Sequence, residues 1–337
     1  MSLWYYLLLF FSSLLLTGLF RRYAVQMSLL DIPNQRSSHA MPTPRGGGIA
    51  IIVTFLAGSW LLVRFAVLPA EVFRGVGLCS SVVAGIGLWD DFRSVPAWVR
   101  LAVHLAVSLV VVFWIVTVPS VPCVTGIFSW GWLGGLLAAI SLAWLLNLFN
   151  FMDGIDGIAA VETMSVAGGA MLLLWFSGAT ITYVYWLGIL VVATAGFLVW
   201  NWPPAKIFMG DACSGFLGFC LGIFALMTSA DTKMTLWTWF ILLGVFIADA
   251  TVTLSRRILR KERFLEAHRS HAYQILARRL HSHKKVTLGV LAVNVFWLLP
   301  CAFFSISWPC YGLFFALVSY APLVLFCVKV GAGTINE

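Results

Sequence analysis

The sequence predicts an all-α, polytopic integral membrane protein with about eleven transmembrane helices, and three observations carry that expectation. Hydrophobic residues make up 61% of the 337-residue chain, while Asp, Glu, Lys and Arg together make up 10%, against roughly 25% in an ordinary soluble domain. The apolar residues fall in runs of about 20, the length that crosses a bilayer. The basic residues are concentrated in alternate loops, as they are when those loops face the cytoplasm.

Taken in order, the runs lie near 3–20, 46–67, 72–89, 98–118, 131–149, 158–176, 183–200, 212–229, 237–255, 287–305 and 310–329. The first has no basic residue before it and no small-residue cleavage site after it, so it reads as a span rather than a secretion signal. Links around Ser177–Thr182 and Ser307–Pro309 leave room only for tight turns, whereas 21–45 and 256–286 are long and polar. With no internal repeat and no low-complexity tract, residues 1–337 read as one membrane domain, its cytoplasmic loops near 21–45, 90–97, 150–157, 201–211 and 256–286. That assignment puts 18 of the 21 Lys and Arg residues on the cytoplasmic side and leaves only Arg64, Arg74 and Lys233 on the other. The N-terminus is therefore expected in the periplasm and the C-terminus in the cytoplasm. Tryptophans near span ends, among them Trp89, Trp98, Trp130, Trp202 and Trp237, suit an interfacial aromatic belt. Seven scattered cysteines without a CxxC pair read as small buried hydrophobes. The formal charge of +8 needs no nucleic acid to explain it, since it lies where anionic lipid headgroups or a polyphosphate substrate meet the membrane.

The thirteen carboxylates are more informative than the positive charges. Asp90 and Asp91 end the third span in GLWDD, Asp153 and Asp156 follow the fifth in NLFNFMDGIDG, and Asp211 follows the seventh in NWPPAKIFMGD. His268 and His271 follow the ninth in AHRSHAYQ. One Asp at a span end is ordinarily a solvated cap. Five Asp and two His reaching one side from four segments read instead as a single site, because ionisable groups near a bilayer are costly to retain without a function. Acids so placed suit Mg²⁺ and phosphate chemistry: the ion takes one or two carboxylates and completes its shell with water and substrate phosphate oxygens. Asp153 and Asp156 share a face if a helix starts within DGIDG. The segment DIPNQRSSHAMPTPRGGG brings His39, Arg36 and Arg45 to a Gly-rich loop able to wrap a phosphate, although GGG opening a span also serves close helix packing. Asp249, in FIADATVT, is left between lining the cavity and pairing with a nearby Arg such as Arg256. His104 reads as a satisfied buried histidine, and His281 and His283 as interfacial.

GLWDD, NFMDGIDG, NWPPAKIFMGD and HRSH, in that order and spaced by spans, resemble the polyprenyl-phosphate N-acetylhexosamine-1-phosphate transferases, the superfamily of MraY and WecA. The first loop (His39, Pro42 to Gly48) and HRSHAYQ look closest to the WbpL-type branch that initiates O-antigen assembly in Gram-negative bacteria. The resemblance covers about Asp31 to Gln274. It implies transfer of a sugar 1-phosphate from a UDP-N-acetylated sugar to undecaprenyl phosphate in the bacterial inner membrane, with release of UMP and a need for Mg²⁺, Mn²⁺ being a substitute. By the same resemblance Asp211 is the principal metal ligand and Asp91 a second or water-mediated one, and Asp90 deprotonates or positions undecaprenyl phosphate. Asn150, Asp153 and Asp156 form the nucleotide-recognition set, Asn201 and Phe208 contact and stack on the uridine, and Arg269 and His271 grip the diphosphate, with His39, Arg45 and His268 also on the substrate side. Where WecA-like members continue with a His pair, this chain has Tyr273 and Gln274. The implied partners are the nucleotide sugar, the polyprenyl phosphate and membrane lipids, with no nucleic acid and with a homodimer left open. The rival reading, an ion- or proton-coupled transporter or lipid flippase, predicts acids near mid-span and repeat symmetry.

Overall fold

Each of the eleven apolar runs is helical in the computed structural model, which describes residues 1–32, 41–179, 181–261 and 269–334. The chain runs through α1 (Leu3–Gln26), α2 (Ile49–Arg64), α3 (Ala70–Phe92), α4 (Ala97–Val110, extended by a π turn to Ile115), α5 (Gly131–Met152), α6 (Ile158–Phe176) and α7 (Ile181–Asn201). It continues through α8 (Asp211–Asp231), α9 (Leu236–Leu242), α10 (Gly244–Leu259), α11 (Ala272–Leu280), α12 (His283–Val293), α13 (Leu299–Ser307) and α14 (Gly312–Val330). Among the described residues nine helical segments are long and apolar enough to cross a bilayer, and α9 with α10 adds a tenth if that pair counts as one span; α2 is a shorter apolar helix.

The sequence reading of 237–255 as a continuous span is corrected here: α9 and α10 meet at Leu243 with a bend of 77°. The long loop at 256–286 also holds a helix of its own, α11, whose apolar side is buried through Ala272, Tyr273 and Ile275 while Arg278 and Arg279 stay exposed. Two short antiparallel pairs complete the fold, Leu30–Asp31 with Thr43–Pro44 and Val121–Cys123 with Gly126–Phe128. Of the cysteines, five are buried as expected, but Cys123 is half-buried and Cys310 exposed.

Burial sorts the spans into a centre and a periphery. The apolar stretch of α8 is 94% buried, against 22% in α1 and α14, so α8 is the axis of the bundle and the outer helices present their side chains to lipid. Without a hydrophobic drive between helices in lipid, small residues let backbones approach and pack. A methyl group on Gly218 would lie 2.7 Å from the Leu145 carbonyl of α5, and one on Gly87 of α3 would lie 2.6 Å from Ala212 Cα. These contacts draw the C-terminal ends of α3 and α5 to the N-terminal end of α8, where the aspartates are.

Candidate active site

The site is built from helix ends. Asp90 and Asp91 occupy the last turn of α3, Asp153 is the C-cap of α5, Asp156 precedes α6, and Asp211 opens α8. Asp91 is 7% exposed and faces the first turn of α8, where Oδ1 accepts from the Asp211 amide at 3.1 Å and Oδ2 from the Ala212 amide at 3.2 Å. A carboxylate at a helix N-terminus satisfies amides that have no partner within the helix and complements the helix dipole. Asp91 therefore anchors α8 and orients Asp211 beside it.

Asp90 points elsewhere. Its Oδ1 accepts from the Val95 amide at 2.8 Å, and its Oδ2 pairs with Arg100 of α4. Arg100 Nη1 also lies 3.3 Å from Asp211 Oδ2, so one guanidinium bridges the two acids. Asn150 of α5 lies beside Asp211. Asp153 is half-buried and has no side-chain hydrogen bond among the described residues. Burial, with Asp211, Asp91 and Asp156 around it, pushes its carboxyl well above the usual aspartate range. A carboxyl crowded by other acids and lacking a hydrogen-bond donor is suited to a cation.

Two loops frame this cluster. The amides of Gly47 and Gly48 donate to the carbonyls of Phe208 and Met209 at 2.9 and 3.0 Å, and the Phe208 amide donates to Pro44 at 2.8 Å. PRGGG and IFMGD are thus joined edge to edge, and Arg45 donates to the Asp91 carbonyl across the seam. Asn201 is 3% exposed, accepts from the Gly157 amide at 2.9 Å and donates to the Ile207 carbonyl at 2.9 Å. Its amide is used to tie DGIDG to the loop before α8. Asp156 is similarly engaged: Oδ2 accepts from the Ala205 amide at 3.1 Å and lies 3.2 Å from His283 Nδ1.

The segment after α10 is held by Asp249. Its Oδ1 accepts from the Ala272 amide, its Oδ2 from the Tyr273 amide, both at 2.9 Å, and Oδ1 lies 3.1 Å from His271 Nδ1. Both alternatives left open for Asp249 give way to a third: it neither lines an open cavity nor pairs with Arg256, which donates to the Ala332 carbonyl. His271 is 2% exposed and closes a capping box with Gln274. Tyr273 donates to the Phe151 carbonyl at 3.0 Å, and a methyl on Gly154 would lie 2.1 Å from its hydroxyl. Tyr273 thus packs α11 against DGIDG, which is what occupies the place of the His pair. Arg269 is exposed at the entrance to this segment.

The structure therefore brings Asp90, Asp91, Asn150, Asp153 and Asp211 together at the helix ends, with Arg45 and Phe208 in the adjoining seam. Asp156, Asn201 and His271 support the neighbouring loops. His39 and His268 lie outside the described residues. Sequence reasoning missed Arg100, counted only as a topological charge, and the His283–Asp156 pair; the signal for Arg100 was a lone cation just inside an apolar run.

The acidic helix ends lie inside a segment that is similar to a known family. The profile of glycosyl transferase family 4 matches residues 73–229, which run from the first turn of α3 through most of α8. A probable undecaprenyl-phosphate N-acetylglucosaminyl 1-phosphate transferase of Bacillus subtilis (strain 168) is 29% identical over 294 residues, covering 83% of this chain and 78% of its own. Decaprenyl-phosphate N-acetylglucosaminephosphotransferase of Mycolicibacterium smegmatis is 28% identical over 304 residues, 81% of this chain and 74% of its own. Undecaprenyl-phosphate alpha-N-acetylglucosaminyl 1-phosphate transferase of Escherichia coli (strain K12) is 27% identical over 277 residues, 77% and 71% of the two chains. With its acidic helix ends inside the matched segment and relatives aligned along most of its length, the chain is similar to the proteins of glycosyl transferase family 4.

Proposed function

We propose that this multi-pass membrane protein transfers a sugar 1-phosphate from a UDP-N-acetylated hexosamine to undecaprenyl phosphate, forming an undecaprenyl-diphospho-sugar and UMP. The observation that carries the reading is the meeting of Asp90, Asp91, Asp153 and Asp211 from α3, α5 and α8 at the ends of spans. A water-soluble nucleotide sugar and a lipid phosphate can meet only at such a level. The names of the relatives carry the same acceptor, undecaprenyl phosphate, and an N-acetylglucosaminyl 1-phosphate group as what is transferred. A transporter would place its acids near mid-span in discontinuous helices; this cluster lies at helix ends.

Among the described residues no three acidic, His or Cys side chains are grouped as a complete metal cage. The donor set instead fits Mg²⁺, which binds through one or two carboxylates and takes its remaining oxygens from water and substrate phosphates. Asp211 and Asp153 would hold it, with Asp91 fixing Asp211 from behind, and bound there it would neutralise the charge of the donor diphosphate. The chain's own groups do the positioning. Asp90, held by Arg100, faces the acceptor phosphate and takes up its proton or orients it for in-line attack on the sugar-linked phosphorus. Arg100 offsets the negative charge between the acids, and Phe208 with Arg45 borders the nucleotide. Phosphoryl transfer of this kind gains its rate from alignment and charge stabilisation.

The orientation proposed with this reaction has the site facing the cytoplasm of the bacterial inner membrane, where nucleotide sugars are made. The donor sugar belongs to the N-acetylated class, GlcNAc, FucNAc or QuiNAc, and the product suits the first membrane step of O-antigen or another surface polysaccharide. Purified protein in detergent is expected to release UMP from one of these UDP-sugars only when undecaprenyl phosphate and Mg²⁺ are both present. Chelation should stop release and added Mg²⁺ restore it. Folded protein that yields no lipid-linked product from any UDP-N-acetylhexosamine would overturn the proposal.

A further inference from the structure

Where a helix breaks inside a membrane, the backbone groups freed on either side need new partners, because lipid supplies none. The break between α9 and α10 is met by side chains from two other helices. On the α9 side, the Phe240 carbonyl accepts from the Tyr320 hydroxyl of α14 at 2.7 Å, and the two rings stack with centroids 4.4 Å apart. On the α10 side, the Phe246 amide approaches the carboxyl group of Glu162 on α6.

Glu162 is fully buried and has no ion-pair partner among the described residues. Its Oε2 accepts from Asn294 Nδ2 at 2.6 Å, and the same nitrogen lies 2.7 Å from Ser165 Oγ. Glu162 Oε1 and Asn294 Oδ1 have no hydrogen bond of good geometry. Asn294 also opens the π turn Asn294–Leu298 that joins α12 to α13, and such turns recur at functional positions. Three departures from regular apolar helix, the 77° bend, the π turn and a buried carboxyl, therefore meet at one place. A buried ionisable group in a span is expensive and is kept for a purpose.

The purpose is visible further along α10. Asp249 lies about one and a half turns beyond Gly244 and holds His271 together with the amides of Ala272 and Tyr273. At about 1.5 Å of rise per residue, straightening the bend would displace Asp249 by roughly 9 Å, far beyond the reach of those hydrogen bonds. We propose that Glu162, Asn294 and Tyr320 form an intramembrane clasp that sets the bend of the broken span, making Glu162 a positioning residue for His271. The proposal depends on the transfer reaction above only for its activity readout.

The test uses the full chain in detergent with Glu162→Leu, Glu162→Gln and Tyr320→Phe. Hydrogen–deuterium exchange is followed at 244–253 and 271–280, alongside kcat and KM for the UDP-sugar. Glu162→Leu is expected to speed exchange in both stretches by about tenfold or more while leaving α1 to α5 unchanged, and to lower kcat about tenfold. Glu162→Gln keeps an oxygen for the Asn294 donor and beside the Phe246 amide, and should stay within about threefold of the native protein in both readouts. Tyr320→Phe removes one hydroxyl, should speed exchange at 236–253, and carries the test if Glu162→Leu does not fold. Native exchange at 271–280 in folded Glu162→Leu, native exchange at 236–253 in Tyr320→Phe, or an even rise over the whole chain would overturn the clasp. A native protein that turns over no UDP-sugar would remove the proposed reaction while the exchange measurement still decides the clasp.

Discussion

Arg100 shows how one side chain changes the meaning of its neighbours. The aspartates alone form a repulsive cluster at the helix ends, and its guanidinium bridges Asp90 and Asp211 so that both can remain close. Replacing it with Gln removes that bridge and leaves Asp90 without the partner that aims it. Arg100→Gln is expected to lower kcat about 100-fold, the scale of a misaligned reacting group, while a thermal melt in detergent stays near the native value because the pair is partly solvated. Asp211→Asn keeps the shape of the first turn of α8 but removes the charge that the proposed Mg²⁺ would use. Its expected outcome is loss of Mg²⁺-dependent UMP release by about 100-fold or more with unchanged expression; full activity would contradict its role. The aspartates were legible because charge is scarce in this sequence. Arg100 was not, since a cation at a span end is equally a sign of topology.

At the level of elements, motifs separated by one or more spans interlock through backbone contacts. DGIDG and the α11 segment meet where Tyr273 fills the space above Gly154. A methyl there would displace the Tyr273 hydroxyl from the Phe151 carbonyl, so Gly154→Ala should destabilise by about 1–3 kcal/mol. Adding Tyr273→Phe removes the clashing oxygen. The double variant is expected to lie nearer to Tyr273→Phe alone than additivity predicts, as contacting residues do, and thermal melts of the four proteins check this. Asn201 and Asp91 illustrate the same principle. The resemblance assigns Asn201 to the uridine and Asp91 to a second or water-mediated metal contact, and in the structure their polar atoms hold the Gly157, Ile207, Asp211 and Ala212 backbone. Residue type and spacing mark a site, but which acids face the ligand and which hold the frame depends on where the helix ends point.

For the whole molecule, the most buried span is α8 and the least buried are α1 and α14, so the aspartates sit around the central helix with the peripheral helices set against lipid. The bias of basic residues expects Lys233 outside and Lys329 inside. In intact cells carrying a variant with its seven native cysteines replaced, a membrane-impermeant thiol reagent should label Lys233→Cys and spare Lys329→Cys; the reverse pattern would invert the proposed orientation.

Composition and hydropathy by themselves determined that this chain is a helical membrane protein, because a surface with so few charges has nowhere to go but lipid. The spacing of DD, DGIDG, FMGD and HRSH between spans determined its family resemblance, since acids are costly at a bilayer and are kept together where they act. The tertiary structure alone decided that the ninth span breaks, that Asp249 serves His271, and that Asp91 anchors α8 while Asp153 has no side-chain hydrogen bond among the described residues. Those outcomes turn on hydrogen bonds between residues far apart in the chain, and local pattern carries no information about which helix end will meet which.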